Sequence, residues 1–307
     1  MTDDAAAQQR ALGAGLMLVL VWGASFTIQK AAYSAMSPGG FLFGRALLMA
    51  LCAVLLLRWR RRALWPSLTR REWGQLFACA AAGQALHIGL VTYGIHWSTP
   101  FSSALIMALG PVFTLVLLRA IRGTRLHRSQ MLGVAAALAG VLLFMSDKLI
   151  KADLRASGGD LLMLLSTIVF SLYTIWATPL VARHGGVAVM CWATLLATPM
   201  MLLFTAPAAA QAPYGAIDGT IWLAFFWSVL VSAFLGWILW GWINAVRGVA
   251  RTAPLLYLVP PVAGVIAWLT VGEHFGGVKL LGAVLALGGV VWTQLAPRDA
   301  AAGAITG

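Results

Sequence analysis

Charged residues are scarce in this sequence, and acidic residues are the scarcest of them. Aspartate, glutamate, lysine and arginine make up 10% of the 307 residues, whereas 61% are hydrophobic. An ordinary soluble domain has about 25% charged and about 45–50% apolar residues. Because a water-soluble fold cannot bury so much apolar surface, the composition excludes a soluble enzyme and indicates an integral membrane protein.

No carboxylate lies in the middle of a long apolar segment. All nine aspartates and glutamates fall in termini, connecting segments or the ends of predicted helices. A proton-coupled exporter of hydrophobic cations uses an intramembrane carboxylate, which holds the proton and the cation in turn. The sequence therefore favours neutral or zwitterionic substrates over organic dications.

Cysteine is also rare, and Cys52, Cys79 and Cys191 stand singly within apolar segments. This spacing provides neither a disulfide framework nor a set of metal ligands. The sequence also contains no Walker A loop, no zinc-binding histidine motif and no paired catalytic acids. We therefore predict no cofactor, no metal site and no enzymatic activity. The alternative is an intramembrane enzyme, which such motifs would have supported.

The net charge of +12 arises from basic residues placed between apolar segments rather than gathered in one patch. This distribution predicts no nucleic-acid partner. Positive charge is retained on the cytoplasmic side of membrane proteins, and alternate segments hold most of the arginines: Arg10, Arg58, Arg60, Arg61, Arg62, Arg70, Arg71, Arg119, Arg122, Arg125, Arg128, Arg183, Arg247, Arg251 and Arg298. Both termini are thus predicted to lie in the cytoplasm.

Long apolar runs predict ten membrane-spanning helices, since a helix needs about 20 mainly apolar residues to cross a bilayer. The first five predicted spans are Ala11–Tyr33, Gly40–Leu57, Trp73–Ile95, Phe101–Leu118 and Gln130–Ser146. The second five are Gly159–Val181, Val187–Ala206, Thr220–Ile243, Ala253–Val271 and Val278–Leu295. We therefore predict an all-α, multi-pass protein of the bacterial inner membrane, whose surroundings are the lipid bilayer.

The two halves of the chain resemble each other. LGPVFTLVL from Leu109 and VPPVAGVIA from Val259 each precede a polar connector and a glycine-spaced helix, LGVAAALAGV or LGAVLALGGV. The similarity predicts two five-helix repeats, residues 1–150 and residues 151–307. Because five is an odd number of crossings, the second repeat must be inverted relative to the first. Inverted repeats are typical of alternating-access carriers, which bind substrate near the bilayer midplane between the repeats.

Glycines and prolines in these similar segments have predicted structural roles. Two glycine pairs, Gly133 with Gly140 and Gly282 with Gly289, are seven residues apart and thus share a helix face, which is typical of closely packed membrane helices. The prolines of the fourth and ninth helices free backbone groups and permit bending there; they are Pro111, Pro254, Pro260 and Pro261.

Several motifs give the chain a family resemblance. They are WGASF from Trp22, GRALLMA around Arg45, Pro111 in the fourth helix and APLLYLVPPVAGVIAWLTVGE ending at Glu273. With them the chain resembles the EamA branch of the drug/metabolite transporter superfamily over essentially its whole length. The first half departs from the pattern, because RGTRLHR stands where the second half reads Gly272 and Glu273.

The resemblance implies a carrier of small molecules. The length, the ten spans and the many aromatic residues are most similar to the YddG-type aromatic amino-acid exporters, which implies amino acids or related metabolites as substrates. Other members are linked to threonine, homoserine, cysteine-pathway metabolites or cationic drugs, so a broad-specificity drug/metabolite exporter is the alternative. A structural or sensor protein is the alternative from another class.

Four predicted helices carry aromatic and polar faces that suit a substrate cavity. Aromatic rings offer a stacking surface, and amide and imidazole groups offer both donors and acceptors. The predicted substrate-binding residues are Trp22, Phe26 and Gln29 of the first helix, Gln84 and His87 of the third, Tyr173 and Trp176 of the sixth, and Trp237, Trp240 and Asn244 of the eighth. Ser166 and Phe170 share the face of Tyr173.

Each of these residues also has a purely structural interpretation. His87 could bind substrate or take up a proton near neutral pH, or it could bond a neighbouring helix. The stripe on the first helix could be packing, and Trp240 could be an interfacial anchor. Lys30 and Arg45, the remaining deep charges, are expected to extend to the membrane surface, with attraction of a substrate carboxylate as the alternative.

The charge distribution gives a testable topology. A reporter that is active only in the periplasm, fused after Gly307, should give no signal, because an even number of crossings returns the C-terminus to the cytoplasm. The same reporter inserted between the first and second helices should be active. A strong signal from the C-terminal fusion would mean a miscounted helix and would contradict the inverted repeat.

Overall fold

The computed structural model describes residues 2–124, 126–150 and 154–295, and these residues form helices and connecting segments without a β-strand. Ten helices in this part of the chain are long and apolar enough to cross a membrane. They are α1 (Ala6–Ala35), α2 (Pro38–Trp59), α3 (Arg70–Trp97), α4 (Pro100–Arg122), α5 (Arg128–Ser146), α6 (Ala156–His184), α7 (Gly186–Ala210), α8 (Gly219–Arg247), α9 (Ala253–Val271) and α10 (Gly277–Leu295). Each overlaps one predicted span, which confirms the ten-helix prediction.

Four of these helices depart from regular α-helical geometry in the described residues. α4 consists of two segments, Pro100–Met107 and Gly110–Arg122, and α9 begins with a 3₁₀ segment before its α-helical part at Val259. Proline occupies the first turn after each irregularity, where its missing N–H is tolerated. The predicted bending at these prolines is confirmed.

The other two irregular helices contain π-helical segments, Ala80–Leu86 in α3 and Trp227–Leu235 in α8. Each segment lies inside a membrane span, and the two occupy corresponding positions in the two halves of the chain. A π-helical turn is rare and is often found at a functional site. Neither segment was predicted from the sequence.

Helix contacts show a pseudo-two-fold arrangement of the first five and the last five helices. α1 packs against α8 and α9, and α6 packs against α3 and α4. α2 packs against α7, and α5 against α10. Exchanging each helix with the one five places along the chain maps the contacts of α1 onto those of α6, and it maps the α2–α7 and α5–α10 contacts onto themselves. The predicted boundary between residues 150 and 151 adjoins residues 151–153, which lie outside the described part, and stays a prediction.

The closest helix packing lies between α5 and α10. A Cβ atom on Gly140 would meet the backbone of Ala286, and one on Gly282 would meet the backbone of Phe144. Gly133 and Gly289 likewise approach residues of the opposite helix. Because only glycine permits so short a distance between helix backbones, the predicted close-packing role of the four glycines is confirmed.

The ammonium of Lys30 lies at the end of a neighbouring helix, and its expected extension to the membrane surface stays a prediction. Its ammonium donates hydrogen bonds to the carbonyl oxygens of His96 and Ser98, the latter at 2.7 Å. The last carbonyls of a helix lack partners within that helix, so Lys30 of α1 caps the C-terminal end of α3. The hydroxyl of Ser98 donates to the carboxylate of Asp160, which is fully buried in α6.

The glycine contact between α5 and α10 is testable by adding one methyl group. Gly140→Ala should destabilise the purified protein by about 1–3 kcal/mol, the usual effect of overpacking, although alanine is the better helix former. The matched control is Gly288→Ala, where a Cβ meets nothing within 4 Å, and this variant should be as stable as the parent or more so. Equal thermal midpoints for the two variants in detergent would contradict the contact.

Candidate functional site

Six ring-bearing residues join into one aromatic cluster inside the helix bundle: Trp22, His87, Phe170, Tyr173, Trp237 and Trp240. Their neighbouring ring centroids are 4.7–6.5 Å apart, within the usual range for interacting aromatic pairs. The cluster runs from α1 through α8 and α6 to α3, so each half of the chain contributes two helices. The structure thus brings together five of the predicted site residues, and Phe170 connects them.

The π-helical segment of α8 positions Trp22. The indole Nε1 of Trp22 donates to the carbonyl oxygen of Ser232 at 3.0 Å, and Ser232 lies in that segment. Gly236, the next residue after the segment, leaves room for the ring, because a Cβ there would lie 2.9 Å from the same indole nitrogen. The ring of Trp22 is therefore held against the backbone of the opposite half.

The π-helical segment of α3 holds Tyr173 in the corresponding way. Gly83 lies in this segment, and a Cβ at Gly83 would collide with the phenol ring of Tyr173. Tyr173 belongs to α6, which corresponds to α1 under the pseudo-two-fold arrangement. Each π-helical segment thus receives an aromatic side chain from the other half of the chain.

His87 is bonded to a neighbouring helix. Its Nδ1 atom lies 2.7 Å from the hydroxyl oxygen and 3.1 Å from the carbonyl oxygen of Ser166 on α6, and the Ser166 hydroxyl also donates to the His87 carbonyl oxygen at 3.2 Å. The residue is 8% exposed, and its ring stacks on Phe170. The interhelical interpretation of His87 is therefore supported, while its predicted contact with substrate stays a prediction.

Three other predicted site residues lie outside the cluster. Gln29 accepts a hydrogen bond from Tyr33 at 3.1 Å, and Phe26 is buried in the hydrophobic core. Trp176 is 39% exposed. Their predicted contacts with substrate stay predictions.

Gln84 and Asn244 have different surroundings. Gln84 lies in the π-helical segment of α3 and lines a narrow cavity together with Arg45. The side-chain oxygen of Asn244 is buried without a hydrogen-bond partner among the described residues. Arg45 lines this cavity between α2, α3 and α7, and its expected extension to the membrane surface stays a prediction.

The sequence pattern of the EamA-like transporter family matches residues 9–146 and again residues 157–295. The chain belongs to the EamA-like transporter family. The two matches fall on the two five-helix units of the structure, so the double EamA pattern and the helix contacts describe the same repeat. As a member of this family with ten spanning helices, the chain is a multi-pass membrane transporter.

Curated relatives of this EamA-like chain carry exporter names. A protein of Streptantibioticus cattleyicolor, named "Probable terminal-alkyne amino-acid exporter", is 27% identical over 92% of this chain and 92% of its own length. The "Probable amino-acid metabolite efflux pump" of Escherichia coli is 27% identical over 90% of this chain and 91% of its own length. One solved crystal structure has the same fold, with a TM-score of 0.61 and 16% identity over 92% of this chain and 96% of that one.

The bond between His87 and Ser166 should be measurable as a coupling energy. In a double-mutant cycle of His87→Leu and Ser166→Ala, we expect a coupling of about 0.6 kcal/mol, the average for hydrogen bonds between membrane helices. The measurement is reversible unfolding in mixed detergent micelles. Ser228→Ala paired with His87→Leu is the control, since Ser228 donates to its own helix at Ala224 and should give additive effects. Additivity in the first cycle as well would show that the bond contributes nothing.

Proposed function

We propose that this transporter exports amino acids across the bacterial inner membrane, carrying aromatic and other large apolar ones best, with both of its termini in the cytoplasm. The observation that carries the proposal is the aromatic cluster, which joins two helices from each half of the chain at bilayer depth. Stacked rings with few charges provide a surface for a flat or apolar side chain. A site between inverted repeats can also face either side of the membrane.

The charges of the site support a zwitterionic substrate. The carboxylates whose side chains the structure describes are each bonded to a neighbouring group: Glu72 to Thr69, Arg183 and His184, Asp160 to Ser98, Asp218 to Thr220, and Glu273 to Lys279 and the backbone of Phe101. No free carboxylate among them is available to a dication inside the membrane. The relatives named as amino-acid exporters support the same substrate class.

The proposed mechanism is a rocking of the two halves around the cluster. At the end of the bundle where α1 meets α2, Tyr33, Phe41 and Phe225 form an edge-to-face stack in which Phe41 contacts both other rings, and all three are buried. With the predicted orientation, this contact closes the periplasmic side of the site. Trp237 of the cluster is 42% exposed. We infer that export requires the stack of Tyr33, Phe41 and Phe225 to separate while the opposite end closes.

The experiment that tests the proposal is uptake of a substrate panel into proteoliposomes, with and without an imposed pH gradient. The panel contains labelled phenylalanine, threonine, lysine and a viologen dication. We expect phenylalanine to be carried best, threonine at lower apparent affinity and lysine worst, because burying an unpaired charge is expensive. Preferential transport of the viologen would instead support the broad drug-exporter alternative.

The rings of the cluster should contribute to substrate selectivity. Trp22→Ala or Trp237→Ala should weaken the apparent affinity for phenylalanine about two- to tenfold, because an aromatic pair contributes about 0.5–1.5 kcal/mol beyond area burial. Threonine transport should change less. Trp268→Ala is the control, since Trp268 of α9 is 55% exposed. Equal losses for both substrates would assign the rings to the fold and contradict a role in selectivity.

A further inference from the structure

The narrow cavity between α2, α3 and α7 has a polar lining and a volume of about 10 Å³, so it must widen during transport to admit a ligand. Arg45, Gln84, Thr194 and Thr198 supply the polar groups. α2 and α3 belong to the first half of the chain and α7 to the second, so this cavity also lies between the halves. It adjoins the cluster along α3, because Gln84 and His87 are three residues apart and thus about one helical turn apart.

Arg45 places a permanent positive charge inside a membrane span. The residue is half-buried, and its guanidinium forms no hydrogen bond or ion pair with any group in the part of the chain that the structure describes. Arginine stays charged in proteins, and a charge held inside a membrane protein is costly unless it is paired or hydrated in a cavity. An anionic ligand in the cavity would provide the missing partner.

Thr194 is an independent indication of a ligand in the same cavity. Thr194 is 6% exposed, and its hydroxyl oxygen has no hydrogen-bond partner among the residues that the structure describes. Buried polar groups are rarely left without a partner. The Gln84 amide adds N–H donors, so the cavity combines donors from three helices around the fork of Arg45. A carboxylate matches this set, because its two oxygens accept from a guanidinium in parallel.

We propose that Arg45, Gln84 and Thr194 bind the α-carboxylate of the transported amino acid while its side chain reaches the aromatic cluster. This inference rests on the proposed function and adds the group by which the substrate is oriented. Gln84 of this cavity lies three residues before His87 of the cluster, so a carboxylate bound beside Gln84 places the rest of the amino acid close to the rings. Cationic molecules without a carboxylate leave Arg45 unpaired and are excluded by repulsion.

The test compares phenylalanine with phenylalanine amide, which keeps the ring and the amino group but replaces the carboxylate by a neutral group. Binding of each to the purified full-length protein is measured by titration calorimetry. Arg45→Gln should weaken phenylalanine binding about ten- to a hundredfold, the range expected for hydrogen bonds to a charged group, and should leave the amide no weaker than in the parent. Arg58→Gln, an exposed arginine on the same helix, should change neither.

The binding results of the variants either support or overturn the proposed carboxylate site. If Arg45→Gln leaves phenylalanine binding unchanged, or weakens both ligands equally, the carboxylate site is wrong. If Arg45→Gln does not fold, Thr194→Val replaces it, and this isosteric variant should weaken phenylalanine about threefold while sparing the amide; no change would overturn the site. Parent protein that binds neither ligand would instead refute the proposed function, which separates the two failures.

Discussion

The hydrocarbon core of a bilayer offers no hydrogen bonds, and this constraint accounts for most of the irregular features of the protein. Every polar group that leaves the regular helical ladder must find a partner in the protein itself. Lys30 therefore caps the carbonyls of α3, and Lys279 pairs with Glu273 at 2.9 Å. The carbonyl of Ser232 in the π-helical segment of α8 receives the indole N–H of Trp22. Arg45, Thr194 and Asn244 are among the exceptions in the described residues, and the proposed carboxylate site is derived from the first two.

Inverted duplication explains why the irregular features come in pairs. The broken helices α4 and α9 correspond to each other, as do the π-helical segments of α3 and α8. Trp22 and Tyr173 each pack on the irregular segment of the other half. The cluster is therefore made of two similar contacts related by the pseudo-two-fold axis. We propose that the halves can exchange roles through this pair of contacts, as alternating access between inverted repeats requires.

The features that depend on sequence periodicity, the spans and the helix packing faces, could be predicted from the sequence. Apolar length located all ten spans, and the seven-residue spacing of Gly133 with Gly140 identified the packing face of α5. The π-helical segments were not predicted, because no residue pattern distinguishes a π-turn from an α-turn in an apolar helix. The bonds of Lys30 to the end of α3 and the shared cavity of Arg45 and Thr194 were not predicted, since partners far apart in sequence are set by the packing of helices against one another. Aromatic faces predicted five residues of the cluster, but their connection through Phe170 depends on how α6 and α8 cross.

Counterflow is the experiment that distinguishes a carrier with alternating access from a pore. Proteoliposomes preloaded with unlabelled phenylalanine are diluted into a medium that contains a trace of labelled phenylalanine, with no ion gradient. A carrier whose single site faces one side at a time should accumulate label transiently above its equilibrium level, because internal substrate returns the site to the outer face. If the label only approached equilibrium, at the same rate as in proteoliposomes that were not preloaded, the protein would be a pore or a leak. That result would contradict alternating access.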